Sequence, residues 1–278
     1  MKGRSLPLGS IVAFGYALLY VPIVSVIVYS FNDSRLVTLW GGFSLRWYAS
    51  LLQDDILLGA ALLSLRIAVV SATFATALGT IVALALHRVA RLRGRLLLSG
   101  MVTAPLVMPE IITGLSLLFL FISMANLIGW PMNRGAATIT IAHITFSMAY
   151  VVVVVRSRLA AMDESLEEAA MDLGGRPLAV VFDVTVPMLL PALVSGWLLS
   201  FTLSLDDLVI SSFVSGPGAT TLPMLIFAKV RLGVTPDINA ITTIIIALVA
   251  IAVATAAIVT TRRTSPGVRR AGPAGKVG

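Results

Sequence analysis

The sequence predicts an all-α membrane protein with six transmembrane helices, and three observations carry that prediction. First, 58% of the 278 residues are hydrophobic and only 12% charged, with a mean hydropathy of +0.99. A soluble domain carries roughly a quarter charged residues, so a water-soluble enzyme and a disordered regulator are both excluded and lipid is the solvent. Second, the runs between charges supply six segments near the roughly 20 residues that a helix needs to cross hydrocarbon. Third, the basic residues fall unevenly on the connections between those segments, which is a topology signal rather than a nucleic-acid-binding surface.

The first span, 8–31, follows Lys2 and Arg4. It is longer than the apolar stretch of a signal peptide and no small-x-small cleavage site follows it, so it reads as retained. The second and third, 62–86 and 98–124, flank a basic loop carrying Arg88, Arg91, Arg93 and Arg95, and the third is interrupted only by Glu110. The fourth, 136–155, begins after a short turn at Trp130 and Pro131; the fifth, 188–214, is interrupted only by Asp206 and Asp207; the sixth is 238–261. With six crossings the two termini, the loop at 88–95 and the loop at 157–187 share one side. That side holds fourteen of the twenty basic residues, and the positive-inside rule places it, with both termini, in the cytoplasm. Splitting an interrupted run would send the basic C-terminal segment to the opposite side. The outer loops carry Trp40, Trp47 and Tyr48 as interfacial aromatics and a Ser215 to Gly218 turn. Residues 1–264 form one membrane domain, and 265–278, rich in Gly, Pro and Arg, read as a disordered cytoplasmic tail.

Several chemistries are excluded by what is missing. Cysteine is absent, so there is no disulfide, thiolate nucleophile or cysteine-ligated metal. The two histidines, His87 and His143, do not form an H-E-x-x-H pair, and no lysine stands in a phosphate-cradling G-x-x-x-x-G-K-[ST] loop. The chain is expected to need no cofactor or metal and to hydrolyse no ATP itself.

Glu110, Asp206 and Asp207 lie inside apolar runs, where each carboxylate costs about 2.5–3.5 kcal/mol at mid-span. Each needs a partner or a wet cavity. Adjacent helical residues point about 100° apart, so Asp206 and Asp207 cannot face one point unless the helix breaks; one would face a path and the other a partner helix. Ser204, Ser211 and Ser212 add polar groups nearby, making Asp206, Asp207, Glu110 and Ser204 the candidate substrate path. The competing account makes Asp207 the cap of a local helix start and lets Glu110 satisfy backbone groups freed by Pro105 and Pro109. His143 reads as a packed, hydrogen-bonded helix residue. A stand-alone cation channel or secondary transporter would explain the acids.

The loop before the fifth span predicts a helix, a glycine turn and a second short helix. Asp163 is a candidate N-cap with Glu164 in the first turn, Gly174 or Gly175 suits the left-handed position after the helix, and Pro177 can open the next helix. Leu166, Ala169, Ala170 and Leu173 recur at spacings of three and four, giving a small apolar face rimmed by Glu167, Glu168 and Asp172. So short a helix is marginal alone and should rest on something.

Glu168-Ala169-Ala170, three residues, Gly174, nine residues, then Val184-x-Val186-Pro187 resembles the EAA motif of ABC importer permeases, E-A-A-x3-G-x9-I-x-L-P. Valines replace the isoleucine and leucine and keep the aliphatic character. The stand-alone channel leaves this pattern unexplained. The resemblance implies the type I ABC importer permease fold, with Glu168, Ala169, Ala170, Gly174 and Pro187 in a cytoplasmic coupling loop that docks on a separate ATPase. Further segments, Phe201 to Ile210 (FTLSLDDLVI), Ser215 to Gly218, Thr103 to Glu110 and Trp47-Tyr48, resemble the second, shorter permease subunit of putrescine/spermidine importers, with an ABC permease for another small solute as the alternative because related importers share parts of these segments. That similarity implies a heterodimer with a homologous permease, two ATPase subunits and a periplasmic polyamine-binding protein. It also implies a cargo for which separated carboxylates suit a dication.

Overall fold

The computed structural model describes residues 5–36, 39–89, 93–163, 165–232 and 236–264. The readings made for Lys2, Arg4, Arg91, Glu164 and the tail 265–278 lie outside these. Among the described residues twelve α-helices and one π-helical turn occur and no extended strand is present. Among the described residues six helices are long and apolar enough to cross a membrane: Gly9–Tyr29, Asp55–Arg88, Glu110–Ile128, Ala136–Ala160, Pro177–Asp206 and Pro236–Thr255.

The centre is built by three helices, α3 (Asp55–Arg88), α6 (Ala136–Ala160) and α9 (Val186–Asp206), each packed on the other two. On α3 the buried residues Ala60, Ser64, Ala68, Ser71, Ala75, Gly79 and Ala83 recur every three or four positions. Small side chains on one face let backbones approach closely, which is how helices associate where lipid removes the hydrophobic drive. Around this trio lie α1 (Ser5–Tyr29), which leans on α12 (Pro236–Thr264), and the short α2 (Arg46–Leu51), which also meets α12. Then come α4 (Arg95–Val107) against α6, α5 (Glu110–Ile128) against α10 (Val209–Val214), and α11 (Leu222–Leu232) against α3. The remaining helices, α7 (Ser165–Asp172) and α8 (Pro177–Val180), belong to the loop before α9.

Two expected helices are broken, and both breaks have local causes. Where one helix was expected over 98–124, α4 ends at Val107 and α5 starts at Glu110. Met108 is extended (φ −74°, ψ 137°) because it precedes Pro109, whose ring disfavours a helical residue before it. Val102 of α4 joins the core with Val152 and Val155, near the C-terminal half of α6. Leu117 and Phe121 of α5 join it with Ile139 and Phe146, near the N-terminal half. The two pieces therefore run consecutively beside α6, and the interruption falls near its middle. The run 188–214 is likewise broken: α9 ends at Asp206, Asp207 is extended (φ −65°, ψ 122°) and α10 begins at Val209. At Gly114 of α5 a Cβ would stand 2.7 Å from the Phe213 ring and 3.3 Å from the Ile210 Cα, so only glycine lets α5 lie this close to α10.

Other helices outrun the apolar counts. The second starts at Asp55 rather than 62, because Asp54 caps it by accepting from the Leu57 N–H at 3.0 Å. Trp47 and Tyr48 are half-buried, packing beside Leu51, Leu57 and Ile241. The Trp47 indole N–H donates to the Asn32 carbonyl at 2.7 Å, and the Tyr48 hydroxyl bonds Ser30 at 2.7 Å. Their polar atoms thus find protein partners. Trp40 stays exposed.

Candidate functional site

Two sites emerge, an acidic centre at the helix breaks and the loop before α9. In the first, His143 of α6 is buried and bridges both sides of the α9 break. Its Nδ1 lies 2.6 Å from Ser204 Oγ, and its Nε2 lies 3.1 Å from both Asp207 Oδ2 and Ser211 Oγ. A carboxylate only accepts, so Nε2 carries the hydrogen directed at Asp207. Ser204 Oγ in turn lies 3.0 Å from Ser71 Oγ, so α3, α6, α9 and α10 share one polar cluster. Asp207 also caps α10: its carboxylate accepts from Ile210 N–H at 3.2 Å and Ser211 N–H at 2.7 Å. Its side chain is only 6% exposed.

Asp206 behaves differently. It is exposed and no other described residue hydrogen-bonds its carboxylate. It stands at the rim of a cavity of about 490 Å³ between α9, α11 and α12, whose walls include Leu205, Leu222, Ile226, Phe227 and Ile245. Glu110, exposed in the first turn of α5, is close enough for its charge to act on Asp206. The helix breaks thus bring Glu110, Asp206 and Asp207 to one region, about 10 Å along α6 from its start as judged by His143. Ser204, by contrast, is buried in the His143 cluster and faces the helix interface. Among the described residues no group of acids and histidines could hold a metal ion.

In the second site α7 ends in a Schellman turn. Gly175 N–H donates to the Ala170 carbonyl at 3.0 Å and Gly174 N–H to Met171 at 2.9 Å, with Gly174 at φ +88°. Gly174 is therefore the left-handed residue. Arg176 is extended and Pro177 opens α8, as the ring's fixed φ favours. The second short helix is not separate, however. Helix α8, the π-helical turn Val181–Thr185 and α9 follow without interruption, so this arm of the loop is the first part of a membrane helix. Glu168 and Ala169 are exposed, Ala170 is half-buried, and Pro187 is exposed on the first turn of α9. The apolar face does not close on this chain: Leu166 is 47% and Leu173 91% exposed. A cavity of about 380 Å³ lies beside α7, lined by His87, Arg88, Met162, Asp163, Glu167 and Glu168. The Asp163 carboxyl is held below its ordinary range by hydrogen bonds from Ser165.

Sequence reasoning singled out Glu168 here, yet the acid tied to the bundle is its neighbour Glu167, which engages Arg88 and Thr185. No spacing rule links residues 88, 167 and 185. His143 was legible only as a buried helix residue, since its partners come from another helix.

Together these features define a class: a helical membrane protein with acids at interrupted helices and a protruding, partly apolar loop. A profile of the family described as "Binding-protein-dependent transport system inner membrane component" matches residues 75–270. The chain is 58% identical over 241 residues to the putrescine transport system permease protein PotI of Escherichia coli K12, covering 87% of this chain and 86% of that one. It is 44% identical over 248 residues to the spermidine/putrescine transport system permease protein PotC of the same strain, covering 89% and 91%. A crystal structure of a bacterial ABC transporter involved in the import of the acidic polysaccharide alginate shares the fold, with a TM-score of 0.73 at 16% identity over 94% and 97% of the two chains. The chain belongs to the family of binding-protein-dependent transport system inner membrane components. It is a membrane permease of the ABC importer type and not itself an enzyme.

Proposed function

We propose that the chain forms one half of the translocation path for a polyamine such as putrescine or spermidine. It pairs with a homologous permease, two copies of a cytoplasmic ATPase subunit dock on the loop around Glu168, Ala169, Ala170, Gly174 and Pro187, and a periplasmic polyamine-binding protein delivers the cargo. Both termini face the cytoplasm. The observation that carries this reading is the placement of Asp206 at one helix interruption on the wall of an apolar cavity, with Glu110 at a second interruption near enough for its charge to act on Asp206; there a flexible cation can exchange water for carboxylates and its methylenes can lie on apolar walls. The names of the relatives at 58% and 44% identity agree with it. Tight binding inside the path would trap cargo, so the acids make a weak, transient site and the binding protein supplies most of the affinity. Asp207 stabilises the break that presents Asp206.

The test is co-purification of the chain from its native membrane, mass spectrometry of partners and ligand, and uptake of labelled putrescine by the reconstituted complex. Recovery with a second permease and an ATPase, and ATP-dependent uptake, is expected. Uptake by the purified chain alone would overturn the proposal. Reporter fusions after Arg95 and near Arg176 should report cytoplasm and one after Arg46 periplasm; the reverse would invert the proposed orientation.

A further inference from the structure

Three elements distant in sequence meet at the end of the bundle that carries α7. The Glu167 carboxylate receives the Arg88 guanidinium from the last turn of α3. It also accepts from the Thr185 hydroxyl, in the π-helical turn, at 2.6 Å. Arg88 reaches Thr185 Oγ1 as well, at 2.7 Å, so the three groups close a triangle. Thr185 is wholly buried, while the Arg88 and Glu167 side chains are only 31% and 20% exposed.

The surroundings give this triangle its consequence. Helix α7 has eight residues, none of them buried, and a helix of that length is not stable by itself. It is joined to α9 covalently through the Gly174–Gly175 turn and α8, but it reaches α3 through Arg88. A glycine turn alone is a hinge, about which α7 could swing without moving α3. The π-helical turn places Thr185 one residue before α9, and such turns recur at functional positions. Helices α3 and α9 are also the two that meet at Ser71 and Ser204, beside the acids of the path.

Given the coupling role proposed above, we infer that Arg88, Glu167 and Thr185 form a positioning joint that converts displacement of α7 into concerted displacement of α3 and α9. The joint transmits motion; Glu168 and the exposed apolar face of α7 are left to meet the ATPase. Docking and transmission are thereby divided between adjacent glutamates.

The experiment uses the assembled importer in liposomes and measures uptake of labelled putrescine per ATP hydrolysed, alongside the amount of ATPase retained on purification. Glu167→Gln and Arg88→Gln should each lower uptake per ATP about tenfold, within the range of an ordinary coupling energy, while ATPase retention changes less than about twofold. Thr185→Val keeps the buried shape and should give a smaller loss in the same ratio. The exchanged pair Arg88→Glu with Glu167→Arg should recover part of the ratio. An unchanged ratio in Glu167→Gln and Arg88→Gln overturns the joint, whether or not the yield of complex falls, because a purely structural contact lowers yield and leaves the surviving complexes coupled. If the unmodified complex retains no ATPase at all, the coupling role itself fails; if it couples and the variants couple equally well, only the joint fails.

Discussion

Replacing Asp207 with asparagine keeps the side chain's size but turns one of its two carboxylate oxygens into an amide donor. Oδ1 faces the Ile210 N–H at 3.2 Å, whereas Oδ2 faces the Ser211 N–H at 2.7 Å and His143 Nε2 at 3.1 Å. Whichever way the new amide turns, its NH2 meets a backbone N–H, and at least one charge-assisted hydrogen bond is lost. Such bonds contribute about 1.5–3 kcal/mol, so Asp207→Asn should destabilise the protein by about 2 kcal/mol. At roughly 2–4 °C per kcal/mol for a chain of this size, the purified permease pair should melt roughly 4–8 °C lower. Asp206→Asn loses no hydrogen bond from another described residue and should melt within about 2 °C of the parent, as exposed substitutions do. Uptake should divide the other way. Asp206→Asn removes the charge at the cavity rim and should lower putrescine uptake per assembled complex about tenfold, the effect of losing one exchanged contact with a charged group. Asp207→Asn should stay within about twofold per assembled complex. Equal melting temperatures for the two variants would refute the assignment of Asp207 as the structural acid, and full uptake by Asp206→Asn would remove Asp206 from the path.

Gly174→Leu forces a branched side chain into φ +88°, at a cost of about 1–2 kcal/mol; it should lower ATPase retention on the purified complex while insertion, read by membrane fractionation, is unchanged. Gly114→Ala places a methyl 2.7 Å from the Phe213 ring and should cost about 1–3 kcal/mol, visible as a lower melting temperature, with Gly114→Leu worse. Lys229 binds Asp237 at 2.9 Å and Asp54 at 3.3 Å; burial lowers its pKa, but the hydrogen bonds and charges of these acids outweigh that and raise it. A raised lysine pKa stabilises the fold fully below the ordinary lysine range, and that stabilisation is lost as pH rises through the shifted value. Lys229→Met should therefore cost less than about 1 kcal/mol at pH 7, as partly exposed pairs do, and its difference from the parent in a melting series should vanish only well above pH 10.

The all-α class, the six apolar helices and the glycine turn were legible in the sequence because each follows from local quantities. Apolar run length measures the hydrocarbon to be crossed. The helix-glycine-glycine-x-proline order encodes its own backbone geometry, although Gly174 was chosen over Gly175 only by the bond from Gly175 N–H to Ala170. The break before Pro109 could have been read from the proline itself; the break at Asp207 could not, since no Pro or Gly stands there. That second break is held by His143, Ser204 and Ser211, which come together only when α6, α9 and α10 pack. Packing likewise decided which acid is buried and which is open, because adjacent aspartates of identical chemistry differ only in the direction their backbone points them. It decided the Arg88, Glu167 and Thr185 contact for the same reason: 79 and 18 residues of chain separate these partners. Charges so far apart in sequence find one another only through the fold, whereas lipid exclusion and turn geometry act on neighbours in the chain.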